Sequence, residues 1–344
     1  MLLCYEMEYQ DTIYQMKLII LAAGMAKRFG GLKPLAPIGP GGEAIIDFAA
    51  YDCIKAGFDS VIMVVRSEIE GAIRYHVEKC WPRSLPVEFI IQDQAEETAP
   101  SGSTNSQQAP KGTAHAVAVA IKAVREGSMD SFGVVNGDDM YGSQAYKLLY
   151  QHLADSSPAQ RTSHAMVAFE LANTVFSEKP LTRATCEVTP DGFLKHLNER
   201  KVQQDKQGNF TATLSLEDTT LQESLPPNTY VSVNMWGFRP QILEVLETAI
   251  DEFDTYLTSW SLETNQPHEA AKTFKIRLGS SGTPELLLPD IVDVMINPPV
   301  NQTVKVIPTT DKCIGITHRQ DLKLASLEVD KLVGQGIYPS KLFG

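Results

Sequence analysis

The stretch LAAGMAKRFGGLKPL, residues 21–35, decides how this chain is read. The apolar run Leu18–Ala22 leads into it and reads as a buried strand of a parallel sheet. Gly24, Arg28, Gly30, Gly31 and Lys33 follow at once. A strand that empties into flexible backbone and fixed cations delivers both to the carboxyl edge of its sheet, where open α/β sheets bind ligands. Glycines let backbone N–H groups approach an anion closely, and the cations neutralise it. The stretch predicts a polyphosphate site, with Gly24 against the base or phosphates. Arg28 and Lys33 grip the triphosphate and steady the leaving pyrophosphate.

Working outward, the first half alternates strand and helix. Ile45, Ile46, Ala49, Ala50, Cys53 and Ile54 fall at helical spacing and predict a helix over 43–56, stopped by Gly57. Strands are expected at 17–22, 60–65, 87–91 and 132–136, with helices over 69–80 and 113–125. Such β-α-β units in series give parallel strands with right-handed crossovers. Residues 94–112 form a polar Ser-, Gln- and Pro-rich loop at the ligand edge, of the length found in lids and insertions. The second half is less regular. Strands are expected at 165–171, 183–188, 193–197 (after an Asp191-Gly192 hairpin turn), 230–238 and 303–307, and helices over 240–258, 288–296 and 321–332. No repeat of fixed period, and no β-helix array, is visible. The expected fold is α/β, a Rossmann-like, mostly parallel mixed sheet flanked by helices. The expected organisation is an extension over 1–15, one domain over 16–320 and a C-terminal helix and tail over 321–344. The domain divides into a nucleotide-binding half, 16–160, and an acceptor-binding half, 161–320.

Composition narrows the partners. Lys plus Arg number 30 against 42 Asp plus Glu, a net charge of −12. That argues against sequence-independent nucleic-acid binding, which needs a basic footprint. A local cationic pocket for a small anion remains compatible with it. Glu6, Glu8 and Asp11 interrupt any signal-peptide core, and no apolar run near the start is long enough to span a bilayer. Cys4, Cys53, Cys80, Cys186 and Cys313 are scattered without a C-x-x-C pair, as expected of reduced, buried thiols. The expectation is a cytoplasmic protein with no membrane partner. Nothing in the sequence fixes its oligomeric state.

Asp138-Asp139 is the second chemical signal. Two adjacent carboxylates at the carboxyl end of a core strand repel unless a cation or donor satisfies them. Asp138 is read as a Mg²⁺ ligand with Asp139 supporting it, because Mg²⁺ takes one or two carboxylates plus substrate oxygens. His115, in an Ala/Val helix beside the base site, is read as a satisfied, partly buried residue. No G-x-G-x-x-G follows the first strand, which argues against a dinucleotide dehydrogenase.

Taken in order, LAAG at 21–24, Arg28, Lys33-Pro34, Gln92, GTAHAV at 112–117 and VVNGDDMYG at 134–142 resemble the sugar-phosphate nucleotidyltransferases, or NDP-sugar pyrophosphorylases. The resemblance runs from about residue 17 to 317. It implies that Leu21, Ala22, Ala23, Gln92, Gly112 and Thr113 meet the base, that Arg28 and Lys33 hold the phosphates, and that Asp138 holds the metal. In CEVTPDGFLKHLNERK it implies sugar contacts from Glu187 and Glu199, with Arg200 at the sugar phosphate. In VSVNMWGF it implies Asn234 as sugar contact or second metal ligand. Two departures stand out: Ala26 where the family usually has a second glycine, and Asn234 where many members have aspartate. The implied reaction joins a sugar 1-phosphate to a nucleoside triphosphate and releases pyrophosphate. Alternatives are a cytidylyltransferase acting on phosphocholine or a phosphonate, and a catalytically silent nucleotide sensor on the same fold.

Overall fold

The computed structural model describes residues 16–24, 29–94, 111–124, 131–158, 160–176, 179–215, 220–261, 266–267, 273–279, 282–316 and 319–343. Arg28, the extension over 1–15 and most of the 94–112 loop lie outside these residues.

Lys17–Leu21 pairs in parallel with Ser60–Val65 on one side and Phe132–Asn136 on the other, and Ser60–Val65 pairs in parallel with Val87–Ile91. Side chains alternate between two apolar layers. Leu18 and Ile20 join the layer covered by the helices Ile45–Ala56, Ser67–Cys80, Ser143–Ala154 and Asp321–Gly334. Ile19 and Leu21 join the layer under Thr113–Val124, Ile242–Ser259 and Leu288–Ile296. The chain therefore winds outward along one face. It then crosses to the other face through Thr113–Val124 and returns to the far side of Lys17–Leu21. Strand order reverses between Lys17–Leu21 and Phe132–Asn136, and the ligand crevice of an open α/β sheet lies at such a reversal.

The sheet is mixed, parallel over these four strands and largely antiparallel beyond them. Tyr230–Phe238 is its branch point. Along one edge it pairs with His164–Glu170, which pairs in turn with Val304–Thr309. Ser232 also pairs with Ala184, and Trp236 with Val134. The second edge is thus shared, first by Leu181–Val188 and then by Phe132–Asn136. Leu181–Val188 continues into an antiparallel series through Leu194–Gln204, Phe210–Ser215 and Thr220–Leu225.

Three of these elements go beyond the sequence expectations. Ala145, Tyr146, Leu149 and Leu153 of the helix Ser143–Ala154 do fall at helical spacing and are buried. The strands Phe210–Ser215 and Thr220–Leu225 are polar (FTATLS, TLQESL) and lie at the end of the sheet, where Thr220–Leu225 has no partner on its outer edge among the described residues. The free cysteines among the described residues match expectation at Cys53 and Cys313, which are buried. Cys80 is exposed: it falls on the Ile73/Val77 face but is the last residue of its helix.

The C-terminal segment is part of the core. Tyr338 and Leu342 are buried, and the Tyr338 hydroxyl donates to Asp52 Oδ2 at 2.7 Å. Ser143 Oγ donates to the other Asp52 oxygen. Burial pushes the Asp52 carboxyl up to about 7, against these two hydrogen bonds. The unfolded chain loses this proton near pH 4, whereas the folded chain keeps it to about pH 7. The folded state binds more protons across that window, so this group's stabilising contribution falls as pH rises through it. Asp52→Asn is expected to flatten this part of the thermal-stability profile. Its unfolding midpoint should exceed the parent's above pH 7, by an amount reflecting on the order of a few kcal/mol. A lower midpoint than the parent's at pH 8 contradicts the assignment.

Candidate active site

The predicted nucleotide residues meet at the carboxyl edge. Ala22 N donates to Val64 O, Gln92 N to Val65 O and Gly137 N to Leu21 O, each at 2.8 Å. These bonds align the ends of the four parallel strands. A Cβ at Gly137 would lie 3.1 Å from Ala22 Cβ and 3.2 Å from Leu21 O, so glycine permits the close approach at the reversal point. Leu21, Ala22 and Ala23 are buried and Gly24 is exposed. Lys33 sits on a single 3₁₀ turn, Lys33–Leu35, with Pro34 buried beneath it. Its Nζ lies 3.4 Å from Asp138 Oδ2, so the glycine stretch and the carboxylate pair meet in space.

The two carboxylates face different surroundings. The Asp138 side chain is 37% exposed. Asp139 is turned inward: its backbone pairs with Gly315, where a Cβ would come 2.5 Å from Asp139 Oδ1. Its Oδ2 accepts from Asn136 Nδ2 at 2.9 Å. Burial, and then the Asp138 charge, push the Asp139 carboxyl above the usual carboxylate range. Among the described residues no group of three or more His, Cys, Asp or Glu is placed to hold a metal ion. One accessible carboxylate with a second behind it suits a hard ion that keeps water and takes phosphate oxygens, and Mg²⁺ is such an ion.

Asn234 joins this cluster through side-chain hydrogen bonds. Its Nδ2 donates to Asn136 Oδ1 at 2.7 Å, and its Oδ1 accepts from Trp236 Nε1 at 2.7 Å. Tyr141, fully buried, accepts from Asn136 N and donates to Val233 O, both at 3.0 Å. Asn136, Tyr141 and Trp236 are not among the residues predicted from sequence. Asn136 and Tyr141 lie inside the quoted VVNGDDMYG motif, which is the signal that could have found them.

On the base side, Gln92 Nε2 lies 3.2 Å from His115 Nδ1 and 3.5 Å from Gly112 O. Burial pushes His115 down to about 3, so the ring is neutral at physiological pH. A neutral Nδ1 accepts the Gln92 amide proton, in keeping with a structural role. Gly112 has φ +94°. Leu286 N donates to Lys111 O at 2.8 Å, and Leu288 N donates to Thr113 Oγ1 at 2.9 Å at the start of its helix. Residues 111–113 are thus clamped by a segment from the second half.

The predicted sugar residues are more dispersed. Glu187 is exposed, accepts from Asn198 Nδ2 at 3.0 Å and lies 3.7 Å from Lys195 Nζ. Glu199 pairs with Arg277, whose guanidinium also forks onto Asp290 at 2.7 and 2.6 Å. Arg200 pairs with Glu223. In register, Glu199 lies opposite Ala184 and Arg200 opposite Arg183, so these consecutive residues project to opposite faces of the sheet. The structure groups Lys33, Asp138 and Asn234 around one carboxylate turn and does not bring Glu199 and Arg200 to one face.

Residues 17–184 match the model of the family described as nucleotidyl transferase. A glucose-1-phosphate adenylyltransferase from Hydrogenovibrio crunogenus is 29% identical over 141 residues, covering 39% of this chain. That alignment spans 32% of the relative, about a third of its length. Among solved structures, the inositol-1-phosphate CTP transferase from T. maritima superposes with a TM-score of 0.54 at 12% identity, covering 93% of this chain and 97% of its own. A UDP-glucose pyrophosphorylase complexed with UDP-glucose also gives a TM-score of 0.54, at 14% identity, covering 92% of this chain and 99% of its own. At such identities the likeness concerns the fold. The Lys17–Leu21 strand, its glycine stretch, the Asp138-Asp139 turn and the branching strands as far as Ala184 are thus the part of the chain that matches the nucleotidyl transferase model, set in a chain that shares its fold with an inositol-1-phosphate CTP transferase and a UDP-glucose pyrophosphorylase.

Proposed function

We propose that this chain joins a nucleoside triphosphate to a sugar 1-phosphate, giving a nucleotide sugar and pyrophosphate, with Mg²⁺ as cofactor. The observation that carries the reading is the 3.4 Å approach of Lys33 Nζ to Asp138 Oδ2 at the strand-order reversal. It sets a cation and an accessible carboxylate where the nucleotide's phosphates would lie. An acceptor phosphate oxygen attacks the α-phosphorus and forms the new P–O bond. The bond to the pyrophosphate oxygen breaks, and pyrophosphate leaves with its electron pair. Phosphate is already a nucleophile, so the protein's task is to hold two polyanions together and in line. Backbone around Leu21, Ala22, Ala23 and Gly24, with Gln92, Gly112 and Thr113, binds the base. Lys33, joined by Arg28, holds the phosphates. Asp138 would hold Mg²⁺, which when bound cancels phosphate charge and supports the leaving group. Glu187 is assigned to the sugar hydroxyls, and one of Glu199 and Arg200 shares its side of the site. The proposal includes a cytoplasmic setting, with no nucleic-acid or membrane partner. No described helix is long and apolar enough to cross a membrane.

Pyrophosphate release from a panel of nucleoside triphosphates tests the proposal. Sugar 1-phosphates, inositol 1-phosphate, phosphocholine and a phosphonate serve as acceptors. Release is expected with a sugar 1-phosphate, and Lys33→Met should lower turnover about a hundredfold without unfolding the chain. Release confined to phosphocholine or a phosphonate moves the acceptor class. A chain that binds nucleotide and releases nothing with any acceptor is a sensor, and the proposal fails.

A further inference from the structure

We infer that Asn234 is a positioning residue that fixes the Asp138-Asp139 turn through Asn136, rather than a metal ligand; the inference rests on the nucleotidyl-transfer reading above. Asn234 has φ 66°, a left-handed backbone in a non-glycine residue. Asparagine is among the few residues that tolerate this conformation. The register of Tyr230–Phe238 breaks between Ser232 and Trp236, so Asn234 sits at the centre of a bulge. It lies where the strand's shared edge passes from Phe132–Asn136 to Leu181–Val188. The ladder to Phe132–Asn136 ends at Val134, and side chains take over in the fork beyond it.

Chemistry fixes the polarity of those side-chain bonds. The Trp236 indole can only donate, so Asn234 Oδ1 is the acceptor of the 2.7 Å bond between them. Asn234 Nδ2 must then donate to Asn136 Oδ1, at 2.7 Å, and Asn136 Nδ2 to Asp139 Oδ2, at 2.9 Å. A one-way relay runs from a fully buried tryptophan to the carboxylate behind Asp138. Tyr141 spans the same gap, bonding Asn136 N and Val233 O. The bulge thereby locks the turn that presents Asp138. Both polar atoms of the Asn234 amide are engaged inside the protein.

The test is a double-mutant cycle read by Mn²⁺ binding, with Mn²⁺ alone as the probe, followed by electron paramagnetic resonance. Asn234→Gly keeps the left-handed backbone and deletes the relay, and Asn136→Ala deletes it from the other side. Each is expected to weaken Mn²⁺ binding about tenfold, and the double variant no further than the weaker-binding single. Asn234→Asp is expected to bind Mn²⁺ more weakly than the parent, because its carboxylate sets an acceptor against Asn136 Oδ1. Thermal unfolding checks the fold, and Asn136→Ser replaces Asn136→Ala if the latter does not fold. Tighter or equal Mn²⁺ binding by Asn234→Asp overturns the inference, as do unchanged binding on losing Asn136 and multiplicative losses in the double variant. A parent chain that binds Mn²⁺ but fails the cycle overturns this inference alone. A parent chain that binds no Mn²⁺ also overturns this inference, whereas the nucleotidyl-transfer reading stands or falls on the pyrophosphate-release panel.

Discussion

Asp138→Ala is expected to lower nucleotidyl transfer by a hundredfold or more while the chain stays folded. The loss follows from position. Asp138 is the accessible carboxylate at the strand-order reversal, and deleting one group that stabilises transition-state charge typically costs ~3 kcal/mol. The intact fold follows from exposure. The Asp138 side chain is 37% exposed, and its one described ion pair is a 3.4 Å approach to Lys33. Partly exposed pairs of this kind contribute ~0–1 kcal/mol. The Asp138 charge also raises the proton affinity of Asp139, so its removal relieves a buried repulsion. Steady-state kinetics with thermal unfolding as the fold control measures both. The discriminating result is kcat: normal turnover in a folded Asp138→Ala chain would remove Asp138 from the mechanism.

Gly112→Ala is expected to be the most damaging of the conservative changes near the site. A Cβ at this position would lie 2.2 Å from Leu286 O and 2.7 Å from Leu286 C, a collision with main chain that no rotamer relieves. The backbone φ of +94° adds strain for any L side chain. Strained conformations of this type cost ~1–3 kcal/mol before the collision is counted. Residues 111–113 must then separate from 286–288, releasing the bonds from Leu286 N and Leu288 N. The expected outcome is a thermal midpoint several degrees below the parent and a raised KM for nucleotide, since Gly112 also abuts Gln92. An unchanged midpoint would mean that the clamp between these segments yields cheaply.

Much of this architecture is legible in the sequence wherever one physical signal dominates. Ser60–Val65, Val87–Ile91, Phe132–Asn136, Tyr230–Phe238 and Leu288–Ile296 form at the predicted bounds, because apolar runs end at glycine, proline or polar residues. The helix over 69–80 begins earlier, at Ser67, where Asp93 accepts from the Ser67 backbone and hydroxyl. Phe210–Ser215 and Thr220–Leu225 are hard to read because each depends on a neighbouring strand rather than on its own pattern. The site divides in the same way. Lys33 and Asp138 are readable because charge at the end of a buried strand demands a reason. The Trp236–Asn234–Asn136 relay is not, because it arises from a bulge and a fork in the sheet that no local spacing encodes.

Tyr230–Phe238 also constrains how the molecule can move. It shares backbone ladders with the parallel strands on which the phosphates would rest and with the antiparallel strand that carries Glu187. Two strand groups stitched by a common strand cannot swing apart as rigid plates without tearing hydrogen bonds from its middle. Substrate capture must therefore be left to segments outside the ladders, and a hinge inserted between residues 231 and 237 should cost the protein its cohesion rather than give it a wider gape.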